Sequence, residues 1–147
     1  MLNRFGAFVT GITACYKYLQ RIKSMEMTEF GLKGTHAMCL FYLHHNPQGL
    51  TAVQLCQLCD EDKAAISRTL SELESKGYLQ TRAEKKYRAE ILLTREGKAL
   101  AEKMDVQIEN WVCIGGEGLT ERQRSNFYCA LAHIASNLKE TYENEGN

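Results

Sequence analysis

Apolar residues recur along this chain at spacings that divide it into helices and two short strands. Phe5, Phe8, Val9, Ile12, Tyr16, Leu19 and Ile22 keep a single stripe of a first helix. A connector holding Gly31 and Gly34 follows, and then THAMCLFYLHH is almost continuously apolar, which predicts a helix central to the fold. His44-His45-Asn46-Pro47-Gln48-Gly49 ends that helix with turn chemistry around the only proline. In LTAVQLCQLC, Leu55 and Leu58 supply the apolar side of a short helix, and Thr51 stands three residues before Gln54 at capping-box spacing.

The next stretch, DKAAISRTLSELESKGYL from Asp62 to Leu79, organises the chain. Ile66, Leu70 and Leu73 form its apolar stripe, while Lys63, Ala64, Ser67, Arg68 and Ser71 fall on other faces. That pattern predicts a helix with one side buried and one side offered. Asp60, Glu61 and Asp62 crowd its front, where a carboxylate caps backbone N–H groups and meets the positive end of the dipole, and Gly77 marks its end. Tyr78 to Arg82 and Glu90 to Leu93 then read as two strands flanking the charged tip AEKKYR. Leu100, Met104, Ile108 and Trp111 predict a long helix from about Lys98 to Val112, which GGEG at 115–118 breaks. A last helix starts at Thr120, with Gln123 at the capping-box position, and carries Phe127, Leu131, Ile134 and Leu138 as its stripe before a polar tail, ETYENEGN. Two helices joined by a tight turn, the second bearing small polar residues and an arginine near its start, then a basic hairpin, make a helix-turn-helix with a wing. The expected fold class is mainly α, with a small β part (α+β).

The order DKAAISRTLSELESKGYL, basic hairpin, ILLTREGKAL resembles the MarR family of winged-helix transcription regulators. Its members typically show D-K-x-x-x-S-R-x-L-x-x-L-E-x-K-G-Y and, after the wing, L-T-x-x-G. The distinctive residues sit in the central third, although the flanking helices also suit the family. The resemblance implies an N-terminal dimerisation helix and connector over 1–30, a DNA-binding lobe over 31–96 and C-terminal dimerisation helices over 97–147. It further implies a cytoplasmic homodimer that binds double-stranded DNA at a palindromic operator and represses transcription, with release governed by a small-molecule effector. One departure falls in the wing, where many members carry Asp-x-Arg and this chain has Lys85 and Tyr87.

Composition changes this picture little. The 147 residues suffice for one well-packed domain, and 44% hydrophobic with 24% charged residues is ordinary for a globular protein. Net charge is zero, so what matters is where the charges lie. From Lys63 to Arg88 there are seven basic residues and three acidic ones, a local excess of four, which Asp60, Glu61 and Asp62 reduce to one. The candidate DNA contacts are Lys63, Ala64, Ala65, Ser67, Arg68 and Ser71 on the helix and Lys85, Lys86 and Arg88 at the wing. Arg68 suits guanine O6 and N7 or a phosphate, the serines suit phosphates or base edges, and the alanines permit close approach to thymine methyls. A solvated charged face is the bland alternative, and the surrounding helix-turn-helix pattern outweighs it. Arg82, at the base of the wing, is expected in a structural ion pair.

Six cysteines stand at 15, 39, 56, 59, 113 and 129, mostly at apolar helical positions, and they read as reduced, core-packing thiols. Cys56-x-x-Cys59 has no second Cys or His pair at zinc-binding spacing, and His36, His44, His45 and His133 form no H-x-x-x-H, so no metal or other cofactor is expected. Arg4 followed by FGAFVTGITAC has the look of a short lipoprotein signal, but the helical stripe runs well past Cys15, and an amphipathic helix accounts for it better. No apolar run reaches the ~18 residues of a membrane span. Tyr16, His36, Cys39 and Tyr42 are the candidate lining of an effector cleft. An enzyme is not expected, because GGEG follows no strand in a phosphate-binding pattern. The competing readings are a winged-helix protein-interaction module and a thiol-based redox regulator that uses Cys15.

Overall fold

A computed structural model describes residues 3–82 and 89–146. Its elements follow the order α1 (Arg4–Glu29), α2 (Gly34–His44), α3 (Ala52–Cys59), α4 (Lys63–Ser75), β1 (Leu79–Arg82), β2 (Glu90–Leu93), α5 (Arg95–Gly115) and α6 (Glu121–Glu145). The backbone divides into two compact units, one running to Gln107 and the other beginning at Ile108. Predicted element order and type agree with this arrangement, but α1 and α5 extend further than their stripes implied. The mainly helical fold with one small hairpin is that of a winged helix-turn-helix with flanking helices.

Within the first unit, α2 is the hub. His36, Ala37, Cys39, Leu40 and Leu43 are all buried on it, and α1, α3, α4 and β2 pack around it. A helix apolar on most sides needs neighbours on most sides, and α2 has them. Leu55 from α3, Ile66 and Leu73 from α4, Leu79 and Leu93 from the hairpin and Leu100 with Met104 from α5 complete the core. At the C-terminal end of α2, His44 and His45 face Asp105 of α5, with His45 Nε2 3.2 Å from Oδ1. The helix end expected from turn chemistry is therefore also tied to α5 by a carboxylate.

β1 and β2 pair antiparallel in the register Leu79↔Leu93 to Arg82↔Glu90, and Leu50 adds a bridge to Ile91 on the free edge of β2. The Leu93-Thr94-x-x-Gly97 run has a local physical reason. The Thr94 hydroxyl donates to the Gly77 carbonyl at 2.6 Å and accepts the Gly97 N–H at 3.0 Å, and the Thr94 N–H donates to the Tyr78 carbonyl at 3.0 Å. A Cβ on Gly97 would collide with that same Tyr78 carbonyl. One threonine and one glycine thus lock the end of α4, the hairpin and the start of α5 together.

In the second unit, Thr120 and Gln123 form the expected capping box at the start of α6, and Arg124 Nη2 donates to the Gly116 carbonyl at 2.9 Å. No described residue of α6 is buried, and Phe127, Ile134 and Leu138 of its stripe all stand exposed. The stripe of α1 is similarly open, with Phe5 75% exposed, and the one buried residue of the helix, Met27, lies beyond that stripe. Among the described residues, no helix is long and apolar enough to cross a membrane.

Candidate nucleic-acid interface

The turn between α3 and α4 is built from local hydrogen bonds. Thr51 and Gln54 make the capping box that starts α3, with the Thr51 N–H donating to Gln54 Oε1 at 2.8 Å. At its other end Asp60 takes a left-handed conformation, φ 51°, while the Glu61 N–H reaches the Cys56 carbonyl at 3.1 Å and the Asp60 N–H the Gln57 carbonyl at 3.4 Å. This is the six-to-one and five-to-two pattern by which helices commonly stop on glycine, and aspartate is one of the few other residues that tolerate it. Two residues later Asp62 Oδ1 accepts the Ala65 N–H at 2.7 Å and opens α4. Of the three clustered acids, then, one turns the chain and one caps α4, a cap worth about 1 kcal/mol.

On α4, Ile66, Thr69 and Leu73 are buried and hold the helix against the core. At about 100° per residue, Ala64, Ser67, Arg68 and Ser71 occupy the opposite face, with Lys63 at its edge, and all five are exposed. Ala65 is half-buried and sits on the flank. The same pattern that the sequence separates into stripes is therefore realised as an anchored side and an open side. Gly77, at φ +79°, closes the helix with the Tyr78 N–H on the Leu73 carbonyl at 3.0 Å and leads directly into β1.

Glu72 is the residue that sequence reasoning missed, treating it only as local negative charge. Its Oε1 accepts Lys33 Nζ at 2.9 Å and its Oε2 lies 2.8 Å from His36 Nε2. The Lys33 backbone N–H donates to His36 Nδ1 at 3.0 Å, which assigns the ring proton to Nε2 and makes His36 the donor to Glu72. The lysine hydrogen bond first, and the histidine second, hold the Glu72 carboxyl below the usual carboxylate range. This clamp ties α4 to the start of α2. It also occupies the acid that lies one turn beyond Arg68, where a helical i,i+4 pair would otherwise form. Among the described residues Arg68 has no ion-pair partner, so its guanidinium is left for another anion.

Arg82 does make its expected ion pair, with Glu90 across the hairpin at 3.3 Å. Lys85, Lys86 and Arg88, the candidate wing contacts, lie outside the described residues.

A cleft of about 560 Å³ opens in the first unit beside α4, lined by Tyr16, Lys23, Cys39, Cys59, Arg68 and Glu72 among others. Of the four candidate effector residues, it brings together Tyr16 and Cys39. His36 is 1% exposed with both ring nitrogens engaged, and Tyr42 does not line the cleft. The cysteines depart from the core-packing expectation. Only Cys39 is buried, Cys56 and Cys59 are half-buried, and Cys15, Cys113 and Cys129 are exposed, because their helices present open faces that the pattern alone could not distinguish from core.

Residues 30–88 match the MarR family model. Among solved structures, a MarR family transcriptional regulator from Listeria monocytogenes, complexed with 26mer DNA, superposes with a TM-score of 0.84 at 22% identity, covering 95% of each chain. A MarR transcriptional regulator from Methanosarcina mazei gives 0.79 at 20% identity over 92% of this chain and 99% of that one. The MepR–DNA complex of Staphylococcus aureus gives 0.78 at 19% identity over 86% and 93%. The chain thus carries a match to the MarR family model over its central residues and shares the winged helix-turn-helix fold of these structures along nearly its whole length.

Proposed function

We propose that the chain is a sequence-specific, double-stranded DNA-binding transcriptional regulator that works as a homodimer on a palindromic operator, as a ligand-responsive repressor. The observation that carries this reading is α4 itself: its apolar stripe is buried, its small and cationic residues face outward, and among the described residues Glu72 is engaged elsewhere while Arg68 has no ion-pair partner. Arg68 reads guanine or grips phosphate, Ser67 and Ser71 hydrogen-bond to base edges or phosphates, and Ala64 and Ala65 allow the helix to approach closely. Lys63 and the basic residues between the strands, Lys85, Lys86 and Arg88, add phosphate contacts that tighten binding at every sequence. Two of the structural relatives were solved with DNA, which supports the same reading.

The open apolar faces of α1 and α6 support pairing. Two-fold association of identical chains is the commonest way to bury such faces, and a dyad sets two recognition helices about 34 Å apart, one turn of duplex. On this reading 31–96 is the DNA-binding lobe, and 1–30 and 97–147 serve dimerisation. Seated over a promoter, such a dimer excludes polymerase without further contacts. The cleft beside α4, with Tyr16 and Cys39 in its lining, supports the ligand-responsive part of this reading. An effector that prefers the lobe spacing unsuited to DNA shifts the population toward release.

The test is duplex selection from random sequence followed by a salt titration on the selected site. Affinity should fall steeply between low and moderate salt. Arg68→Ala should weaken binding by about 1–3 kcal/mol, with an unchanged thermal melt. Undiminished affinity after neutralising Arg68, Lys85 and Lys86 together would sink the assignment.

A further inference from the structure

Two thiols meet behind the recognition helix. Cys39 Sγ of α2 and Cys59 Sγ, on the last residue of α3, are 3.8 Å apart. Cys39 is buried whereas Cys59 is half-buried, and both line the cleft of about 560 Å³, so a small solute reaches the pair from that side. The Cys59 thiol is pulled below its usual range by the Cys39 hydrogen bond, and Lys23 adds to this while burial and Glu61 oppose it. The same bond, followed by burial, pushes the Cys39 thiol upward. One sulfur is thus the readier nucleophile and its neighbour keeps its proton, an arrangement in which one thiol is attacked by oxidant and the other resolves it.

We propose that Cys39 and Cys59 are a hydroperoxide-oxidisable pair whose intrachain disulfide ties α2 to the end of α3, at the turn into α4. The Cys59 thiolate attacks one peroxide oxygen, the O–O bond breaks, and the sulfur becomes a sulfenic acid as hydroxide leaves and takes up a proton to form water. The Cys39 thiol then gives up its proton and its sulfur attacks the Cys59 sulfur. The S–O bond breaks, and the departing hydroxide takes that proton as a second water. Two thiols lose two electrons together, and one hydrogen peroxide is reduced to two waters.

Bond formation has a mechanical consequence. A disulfide is about 2.05 Å long, so the sulfurs must approach by roughly 1.8 Å. Part of that is side-chain rotation, and the remainder draws the end of α3 toward α2. Asp60, in its left-handed turn, and Asp62, the α4 cap, follow within three residues, so the start of the recognition helix moves with it. The effect on DNA rests on the function proposed above; the cross-link does not.

The test uses the reduced full-length chain, treated with hydrogen peroxide, alkylated and digested without reductant for mass spectrometry. The expected product is a Cys39–Cys59 cross-linked peptide from monomer-mass protein, reversed by dithiothreitol. It should persist in Cys15→Ser and Cys56→Ser and vanish in Cys59→Ser, a half-buried position whose conservative replacement should leave the circular dichroism melt unchanged. Peroxide that oxidises Cys15 while Cys39 and Cys59 stay alkylatable, or that bridges any other cysteines, overturns the pair. In a parallel binding assay, the bridged protein should hold its selected duplex about tenfold more weakly than the reduced protein, reversibly. Equal affinity overturns the regulatory consequence. Absence of duplex binding by the reduced protein would overturn the DNA reading instead, and the peptide map would still decide the thiol pair.

Discussion

α4 and α6 are both amphipathic and both begin on a side-chain cap, Asp62 in one and Thr120 in the other, yet α4 buries three residues and α6 buries none. The stripe of α4 is satisfied within its own chain by α2, α3 and β1, so its polar face is what remains to offer. The stripe of α6 is apolar and unspent, with Leu138 59% exposed. The same periodicity thus has two destinies. One helix uses its apolar side to be held in place and leaves its polar side open; the other has its apolar side left exposed, the face to which dimerisation is assigned above.

The most damaging way to probe this contrast is to attack the anchored side of α4. Leu73 is completely buried, so Leu73→Ala should lower stability by about 2–5 kcal/mol in urea denaturation. A loss below 1 kcal/mol, on the order of an exposed-site change, would mean that α4 is not held as described. On α6 the expectation is reversed. Ile134→Glu with Leu138→Glu should leave helix content intact and instead raise the dimer dissociation constant by about 100-fold or more in analytical ultracentrifugation. A double variant that stays dimeric, or a parent chain that is monomeric at micromolar concentration, would remove the proposed use of that face. The smallest effect concerns the clamp between α2 and α4. Because Lys33 and His36 hold the Glu72 carboxyl low, its contribution is fully present above the ordinary carboxylate range and is lost as pH falls through the depressed value. Melting curves taken from about pH 5 down to 3 should therefore fall more for the parent than for Glu72→Gln. Parallel curves would show that the clamp adds nothing.

Much of this was legible in the residues. Thr51 with Gln54, Thr120 with Gln123 and Asp62 before an apolar run announce helix starts through bonds made within three residues, and each forms as read. The Ile66, Leu70 and Leu73 stripe likewise separates the held side of α4 from the open side, although Thr69 rather than Leu70 completes the fully buried set. What could not be read were the pairings across long sequence distance. Nothing near Glu72 announces that Lys33 and His36, 39 and 36 residues away, will claim it. Cys56-x-x-Cys59 draws the eye to a local motif, whereas the sulfur that meets Cys59 belongs to Cys39, 20 residues earlier. Cysteine burial was misjudged for a related reason: an apolar helical position shows that a face is apolar, not that something covers it.

The sequence by itself determined the elements, their caps and the sidedness of each helix, because those depend on hydrogen bonds and periodicities that span only a few residues. The tertiary structure decided which apolar face is satisfied within the chain, which acid is occupied and which two thiols touch. Those outcomes depend on which surfaces pack together, and packing brings into contact side chains whose separation along the chain carries no local signal.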